Sequence, residues 1–186
     1  RNDEVGKPNK SYFFKFCSCS PTNLRYIYQS LLILKYMRDK LPPFCNGCPV
    51  VEIGGGYGGL AFFIHNLCEF FDVEIKSYII FDIPEVCLLQ EKYLRHHEVE
   101  LEEKENITEN SFLISNYAFS ELPENIRDTY EKNVIAPYCD YGFLSWNACP
   151  FYKFIDDETI IWETEPEKPI TGNNNLFVRF LKQCNM

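Results

Sequence analysis

Val50-Val51-Glu52-Ile53-Gly54-Gly55-Gly56-Tyr57-Gly58-Gly59-Leu60 decides the reading of the chain. An apolar run of buried-strand character passes straight into glycines, and Leu60-Ala61-Phe62-Phe63-Ile64 follows as a helix. Two glycine patterns overlap in this strand, turn and helix start. Gly54, Gly56 and Gly59 satisfy G-x-G-x-x-G, which permits a sharp turn and close approach of a ligand to backbone at a helix N-terminus. Glu52, Gly54, Gly56 and Gly58 form Glu-x-Gly-x-Gly-x-Gly, which puts a carboxylate two residues before the first glycine. A carboxylate there repels the pyrophosphate of a dinucleotide and attracts the ammonium end of S-adenosylmethionine.

Downstream, the helix is expected to bury Leu60, Phe63, Ile64, Leu67 and Phe71, with His65, Asn66 and Glu69 on its solvated face. Ser77-Tyr-Ile-Ile-Phe-Asp82 reads as the second strand, ending in a carboxylate at the crevice edge of a doubly wound sheet, where Asp82 can accept from ribose hydroxyls or cap the next helix. That helix, from Pro84 to about Arg95, is expected to turn Val86, Leu89 and Tyr93 inward. Val99 and Leu101 alternate with charges as in a short edge strand, and His96-His97 with the acidic run after them reads as surface. Phe112-Leu-Ile-Ser-Asn-Tyr117 is a further strand, and strand carboxyl ends carry the chemistry of open α/β sheets. Asn116, Tyr117 and Glu121 are therefore the catalytic candidates, Glu121 either as the base for an attacking hydroxyl or as a first-turn carboxylate offsetting a helix dipole. A helix from Pro123 carries Ile126, Tyr130 and Val134. Tyr141-Gly-Phe-Leu-Ser-Trp-Asn147 closes a strand on Trp146 and Asn147, a ring and an amide suited to stacking on a sugar and bonding its hydroxyls; a core tryptophan is the other reading. Thr159–Glu165 and Asn175–Leu181 close the chain as a hairpin around Gly172-Asn173.

Upstream, Ser20 and Pro21 open a helix to about Lys40, with Leu24, Ile27, Leu31 and Leu34 at helical spacing, ended by Pro42-Pro43. Arg25 in its first turn either pairs with a carboxylate or anion of a ligand or is a solvated arginine. Residues 1–10 read as a loose polar lead-in.

Three of these motifs in order, Glu52-Ile-Gly-Gly-Gly-Tyr-Gly-Gly59, then Phe81-Asp82-Ile83-Pro84-Glu85-Val86 with Leu89-Gln90, then Ser115-Asn116-Tyr117-Ala118-Phe119-Ser120-Glu121-Leu122, resemble the sugar O-methyltransferases, class I S-adenosylmethionine-dependent enzymes. The resemblance runs from about Ser20 to the C-terminus. It implies a three-layer, Rossmann-like α/β fold with a mostly parallel sheet, an antiparallel last strand and an N-terminal helical extension covering the donor site. It also implies methyl transfer from S-adenosylmethionine to a hydroxyl of a sugar or glycan precursor. Glu52, Gly54, Gly56, Tyr57, Gly58, Asp82 and Arg25 would hold the donor, and Trp146 and Asn147 the acceptor. An NAD-binding oxidoreductase uses a similar glycine turn, and a non-catalytic methyltransferase-like module of a larger protein would retain the same motifs.

At 186 residues the chain suits one domain, divided here into an extension over 1–45 and a core over 46–186. A net charge of −9 with no dense Lys/Arg cluster argues against a nucleic-acid partner and suits an uncharged small-molecule acceptor. No run approaches the roughly 18 consecutive apolar residues of a membrane span. The chain begins at Arg1, as expected of a domain excised from a longer polypeptide. Cys17-x-Cys19 and Cys45-x-x-Cys48 can be written as zinc ligands, but no histidine lies near either pair; an odd total of 9 cysteines favours reduced thiols and a cytoplasmic setting, with no metal expected. Asp156-Asp157-Glu158 reads as a solvated helix end rather than a divalent-ion site.

Overall fold

The computed structural model describes residues 2–14, 17–41, 47–169, 172 and 174–183. Strand β3 (Cys48–Ile53) is buried along its whole length and lies between β4 (Ile75–Phe81) and β5 (Ser111–Asn116), parallel to both. Beyond β5 come β6 (Cys139–Trp146), β8 (Leu176–Lys182) and β7 (Ile160–Pro166), giving a six-stranded sheet of order β4-β3-β5-β6-β8-β7. Only β8 runs against the others, pairing antiparallel with β6 on one side and β7 on the other. The hairpin β1 (Ser11–Phe13) and β2 (Cys17–Cys19) forms a separate small sheet. This is a Rossmann-like α/β fold, mostly parallel with an antiparallel last strand.

Period-two alternation divides the sheet residues between two cores. Val50, Phe112, Ile114, Tyr141 and Phe143 pack on the face covered by α1 (Pro21–Lys40), α2 (Gly59–Leu67) and α3 (Pro84–His96). Val51, Ile53, Leu113, Leu144 and Val178 face the opposite layer, where α4 (Glu124–Tyr130) and the segment around Phe154 lie.

Helix α1 starts where Ser20 accepts from Asn23 N at 3.1 Å and Pro21 takes the first position, and it ends on Arg38 and Lys40, which complement its dipole. Its buried face keeps Leu34 of the expected stripe but not Leu31. Leu31 is 39% exposed, while Gln29, Ser30, Ile33, Leu34 and Met37 turn inward. The reason is that α1 packs on α2 and also reaches the sheet, where Tyr36 Oη donates to Phe180 O at 3.4 Å. Along α2, Phe62 is buried and Phe63 only half-buried.

Three further expectations are corrected. No strand forms at Val99–Leu101: Val99 N donates to Leu94 O at 3.0 Å, closing α3, and its side chain is spent in the core, so a single bond from Glu102 N to Tyr78 O at 2.9 Å is what reaches the sheet edge. On α3, Leu89 is exposed while Gln90 and Tyr93 are buried. The helix after Pro123 passes from α4 into a π turn at Glu131–Ile135 and then Ala136–Tyr138; this extra residue per turn sends both Val134 and Ile135 inward and leaves Ile126 exposed.

The lead-in is not loose. Asn2–Glu4 forms a 3-10 turn, Asn2 is 5% exposed, and the Asp3 carboxylate accepts from Ser20 N at 2.7 Å and Ser20 Oγ at 2.8 Å. Cys45 and the side chain of Cys17 lie outside the described residues, as do Pro42-Pro43 and Asn173. Cys48 is buried in β3, its thiol pushed up to about 12 by desolvation, which makes it an inert core residue. Among the described residues, no helix is long and apolar enough to cross a membrane.

Ser115 ties the reactive ends of β3 and β5 together: its hydroxyl donates to Ile53 O at 2.9 Å and accepts from Phe119 N at 3.0 Å. Ser115→Ala leaves both backbone groups buried without that partner. It is expected to lower unfolding free energy by about 2 kcal/mol in urea titration, and an unchanged midpoint would contradict the stitching role.

Candidate active site

The carboxyl ends of β3, β5 and β6 and the first turns of α1 enclose a cleft of about 590 Å³. Its floor begins at the glycine turn. Gly54 N donates to Phe81 O at 2.8 Å and Gly58 N to Gly55 O at 3.0 Å, so the chain reverses between β3 and α2 within five residues. Gly54 sits at φ +75° with Ala118 so close that a Cβ would lie 2.2 Å from that methyl. Gly56 sits at φ +56° on the open side, where a Cβ would meet nothing nearer than Tyr26 Oη at 3.5 Å. Backbone is thereby presented bare to the cleft. From α3, the buried Gln90 donates to Gly56 O at 2.7 Å and to Asp82 Oδ2 at 3.1 Å, fixing the turn against the end of β4.

Glu52 lines this floor at 2% exposure. Burial pushes its carboxyl from 4.5 up to about 7; the hydroxyl of Tyr78, donating at 2.8 Å, pulls it down, and the charge of Asp82 adds a smaller upward push. Across the cleft, the Arg25 guanidinium stands 5.7 Å from the Tyr117 ring centroid and 6.0 Å from that of Tyr26. Burial, with the neighbouring Tyr57 and Glu52, raises the Tyr26 hydroxyl to about 12, so it stays a neutral hydrogen-bonding group.

The far wall comes from β5 and β6. Tyr117 adopts φ +53°, a strained left-handed conformation for a non-glycine residue, and its N donates to Ser145 O at 3.0 Å. Asn116 Oδ1 accepts from Ser145 Oγ at 2.8 Å. At the rim, exposed Glu121 accepts from Asn147 Nδ2 at 2.5 Å, and Asn147 is itself held by Ser120, which donates to Oδ1 at 2.8 Å and accepts from N at 3.0 Å.

Of the residues singled out by sequence, the cleft thus gathers Arg25, Glu52, Gly54 and Gly56 on one side and Asn116, Tyr117, Glu121 and Asn147 on the other. Gly58 and Asp82 stand just outside its lining. The Asp82 carboxylate is engaged locally, accepting from Ile83 N at 2.9 Å as well as from Gln90. Tyr57 turns away: its ring packs edge-on against Tyr93 at 4.9 Å and Tyr26 at 5.6 Å, and its hydroxyl accepts from Asn2 Nδ2 at 3.2 Å, so it faces a second hollow of about 470 Å³ beside the N-terminal turn. Trp146 is not a sugar platform. It is 1% exposed, stacked on Phe154 at 5.8 Å, and its Nε1 donates to Cys149 O at 2.9 Å. Strand alternation explains this, since Ser145 and Asn147 take the cleft side and Trp146 must take the other. Asp157 serves a turn, accepting from Thr159 N at 2.9 Å and Thr159 Oγ1 at 2.6 Å. Sequence reasoning missed Gln29 and the locking role of Gln90; the signal was a glutamine set among apolar positions of a helix.

No protein-family profile and no curated protein matches the sequence. Solved structures do share the fold. The citrinin polyketide synthase CMeT domain superposes at TM-score 0.58 and 12% identity, over 87% of this chain and 53% of that one. A SAM-dependent methyltransferase from Aquifex aeolicus gives 0.54 and 14%, over 87% and 92%. The mitomycin 7-O-methyltransferase MmcR gives 0.50 and 10%, over 83% and 54%. The chain therefore spans about half the length of two of these relatives in structure.

Replacing Gln90 by alanine removes the partner of both Gly56 O and Asp82. The expected result is a loss of about 2 kcal/mol in urea unfolding together with faster hydrogen exchange of the Gly58 amide. Exchange at the wild-type rate would mean that the turn holds its shape without Gln90.

Proposed function

We propose that this chain is an S-adenosylmethionine-dependent O-methyltransferase domain acting on a hydroxyl of a sugar or glycan precursor. The observation that carries the reading is Glu52, a buried carboxyl at the floor of a glycine-walled cleft, which suits an ammonium group and opposes a pyrophosphate. Bare backbone at Gly54 and Gly56 fits the amino-acid end of the donor beside it. The shared fold supports methyl transfer, since relatives in structure include a SAM-dependent methyltransferase and an O-methyltransferase.

S-adenosylmethionine, when bound, supplies a methyl group on a sulfonium, already activated for displacement by an oxygen. The chain's own residues bind and orient. Glu52 and the turn would hold the amino-acid end, Asp82 just past β4 would take the ribose hydroxyls in exchange for its local partners, and Arg25 stands beside the Tyr117 ring. Asn116 and Asn147 offer neutral hydrogen-bonding groups to a hydroxylated acceptor, in keeping with the resemblance to sugar enzymes. Glu121, at the rim and oriented by Asn147, takes the proton from the attacking hydroxyl. No covalent nucleophile is required of the protein.

Isothermal titration against S-adenosylhomocysteine and NAD separates this reading from an oxidoreductase: saturable binding of the first alone is expected, and saturable NAD binding with no response to the first would overturn it. Affinity should also depend on pH. A bound ammonium favours ionised Glu52, so below the free-state value of about 7 each binding event must expel a proton, and affinity should fall by up to about tenfold per pH unit. A flat profile between pH 5.5 and 7.5 would remove Glu52 from the site. Because the folded state raises this carboxyl above 4.5, the native protein holds its proton more tightly than the unfolded chain. The stability this gives is complete below that value, declines as pH rises towards 7, and has gone above it. Glu52→Gln should therefore be more stable than wild type at pH 8, by on the order of 3 kcal/mol, while binding S-adenosylhomocysteine more weakly. Equal melting temperatures at that pH would contradict the burial argument.

A further inference from the structure

Beside the glycine turn the cleft contains a second polar feature, built from three separate elements. Gln29 on α1 is 2% exposed, and its Nε2 donates to Ser145 Oγ on β6 at 3.5 Å, the long end of hydrogen-bond range. Ser145 Oγ in turn donates to Asn116 Oδ1 on β5 at 2.8 Å. The two outer groups, Gln29 Oε1 and Asn116 Nδ2, are buried without a hydrogen-bond partner. Both residues line the cleft. Native proteins rarely leave two such atoms unsatisfied on residues that line a pocket unless a ligand or an ordered water completes them.

The chemistry of the missing partner follows from counting donors and acceptors. The chain of three side chains uses one group of each amide. As drawn, it leaves an acceptor on Gln29 and a donor on Asn116; with both amides turned over, it leaves a donor on Gln29 and an acceptor on Asn116. Either direction demands one donor and one acceptor from the ligand. A carboxylate or phosphate only accepts and an ammonium only donates, whereas a hydroxyl does both through one atom. The chain therefore does not suit the charged ends of an amino acid, which Glu52 and the glycine backbone suit instead.

We propose that Gln29, Ser145 and Asn116 form the receptor for an acceptor hydroxyl, with Gln29 as the specificity-determining residue contributed by α1. This rests on the methyltransferase reading above and extends it to the side of the cleft that selects the acceptor. Arg25 and Tyr26 sit one turn earlier on the same helix and also line the cleft, so α1 takes part directly in recognition instead of only covering the sheet.

The test measures two things on the intact chain with Gln29→Leu and, as a milder second variant, Ser145→Ala. The first is titration with S-adenosylhomocysteine; the second is transfer of labelled methyl from S-adenosylmethionine to the methyl glycosides of glucose, galactose, mannose, xylose and rhamnose. Both variants should bind S-adenosylhomocysteine within about twofold of wild type. KM for the glycoside that wild type methylates should rise by about tenfold or more in Gln29→Leu, and by less in Ser145→Ala, with kcat changed far less. A large loss of S-adenosylhomocysteine affinity in Gln29→Leu would assign the chain to the cofactor and overturn the proposal, and so would an unchanged KM. Wild type that binds S-adenosylhomocysteine but methylates none of the glycosides would also overturn it. Wild type that fails to bind S-adenosylhomocysteine would instead bring down the methyltransferase reading beneath it.

Discussion

Glu52 puts a carboxyl group near the end of β3, in the interior of the sheet, with the Tyr78 hydroxyl donating to it from the neighbouring strand. Taking such a group out of water disfavours its charged form, and burial dominates its upward displacement towards neutrality. A hydrophobic residue at this position would fold the sheet at least as well. The carboxyl makes physical sense if something with positive charge comes to meet it, and the surroundings are arranged for that. The strand ends one residue later, the chain turns away through glycines, and the cleft opens directly over the carboxyl.

The remaining elements follow from keeping that cleft open and shaped. Gln90 fixes the glycine turn from α3, Ser115 ties the ends of β3 and β5, and the packing of Ala118 on Gly54 sets how closely the loop after β5 can approach. Tyr117 holds a left-handed backbone at the same place, a local strain tolerated because Ser145 and the strand beside it over-determine the turn. The cleft then has two chemically distinct halves. One is backbone and buried carboxyl; the other is amides and hydroxyls from α1, β5 and β6. Asn2 closes the region behind the turn, bridging Asn23, Tyr57 and Tyr93, so the N-terminal residues act as part of the wall.

Much of this was legible in the sequence where one local rule sufficed. The glycine turn announced itself because only glycine tolerates its backbone angles, and the strands ending at Phe81, Asn116 and Trp146 because their apolar runs have no other use. The closing hairpin was legible from its two apolar runs and the loop between them, and its antiparallel last strand was implied by the family resemblance. Failures came where tertiary contacts chose between equal local options. Alternation along β6 decides that Trp146 is core while Asn147 reaches the cleft, and which face is core is set by the aromatic layer around Phe154 packed against it. Val99 is apolar enough for a strand but is needed to close α3. Asn2, Gln29 and Gln90 look like surface residues by type, and nothing local reveals that each is buried by partners more than twenty residues away or on a separate element.

The most direct test of the central claim is a crystal structure of the chain soaked with S-adenosylhomocysteine. The amino-acid end of the ligand should lie along Gly54 to Gly56 with its ammonium directed at Glu52, leaving the side of the cleft formed by Gln29, Ser145 and Asn116 open. A ligand seated with that end elsewhere, or a cleft that stays empty at saturating concentration, would contradict it.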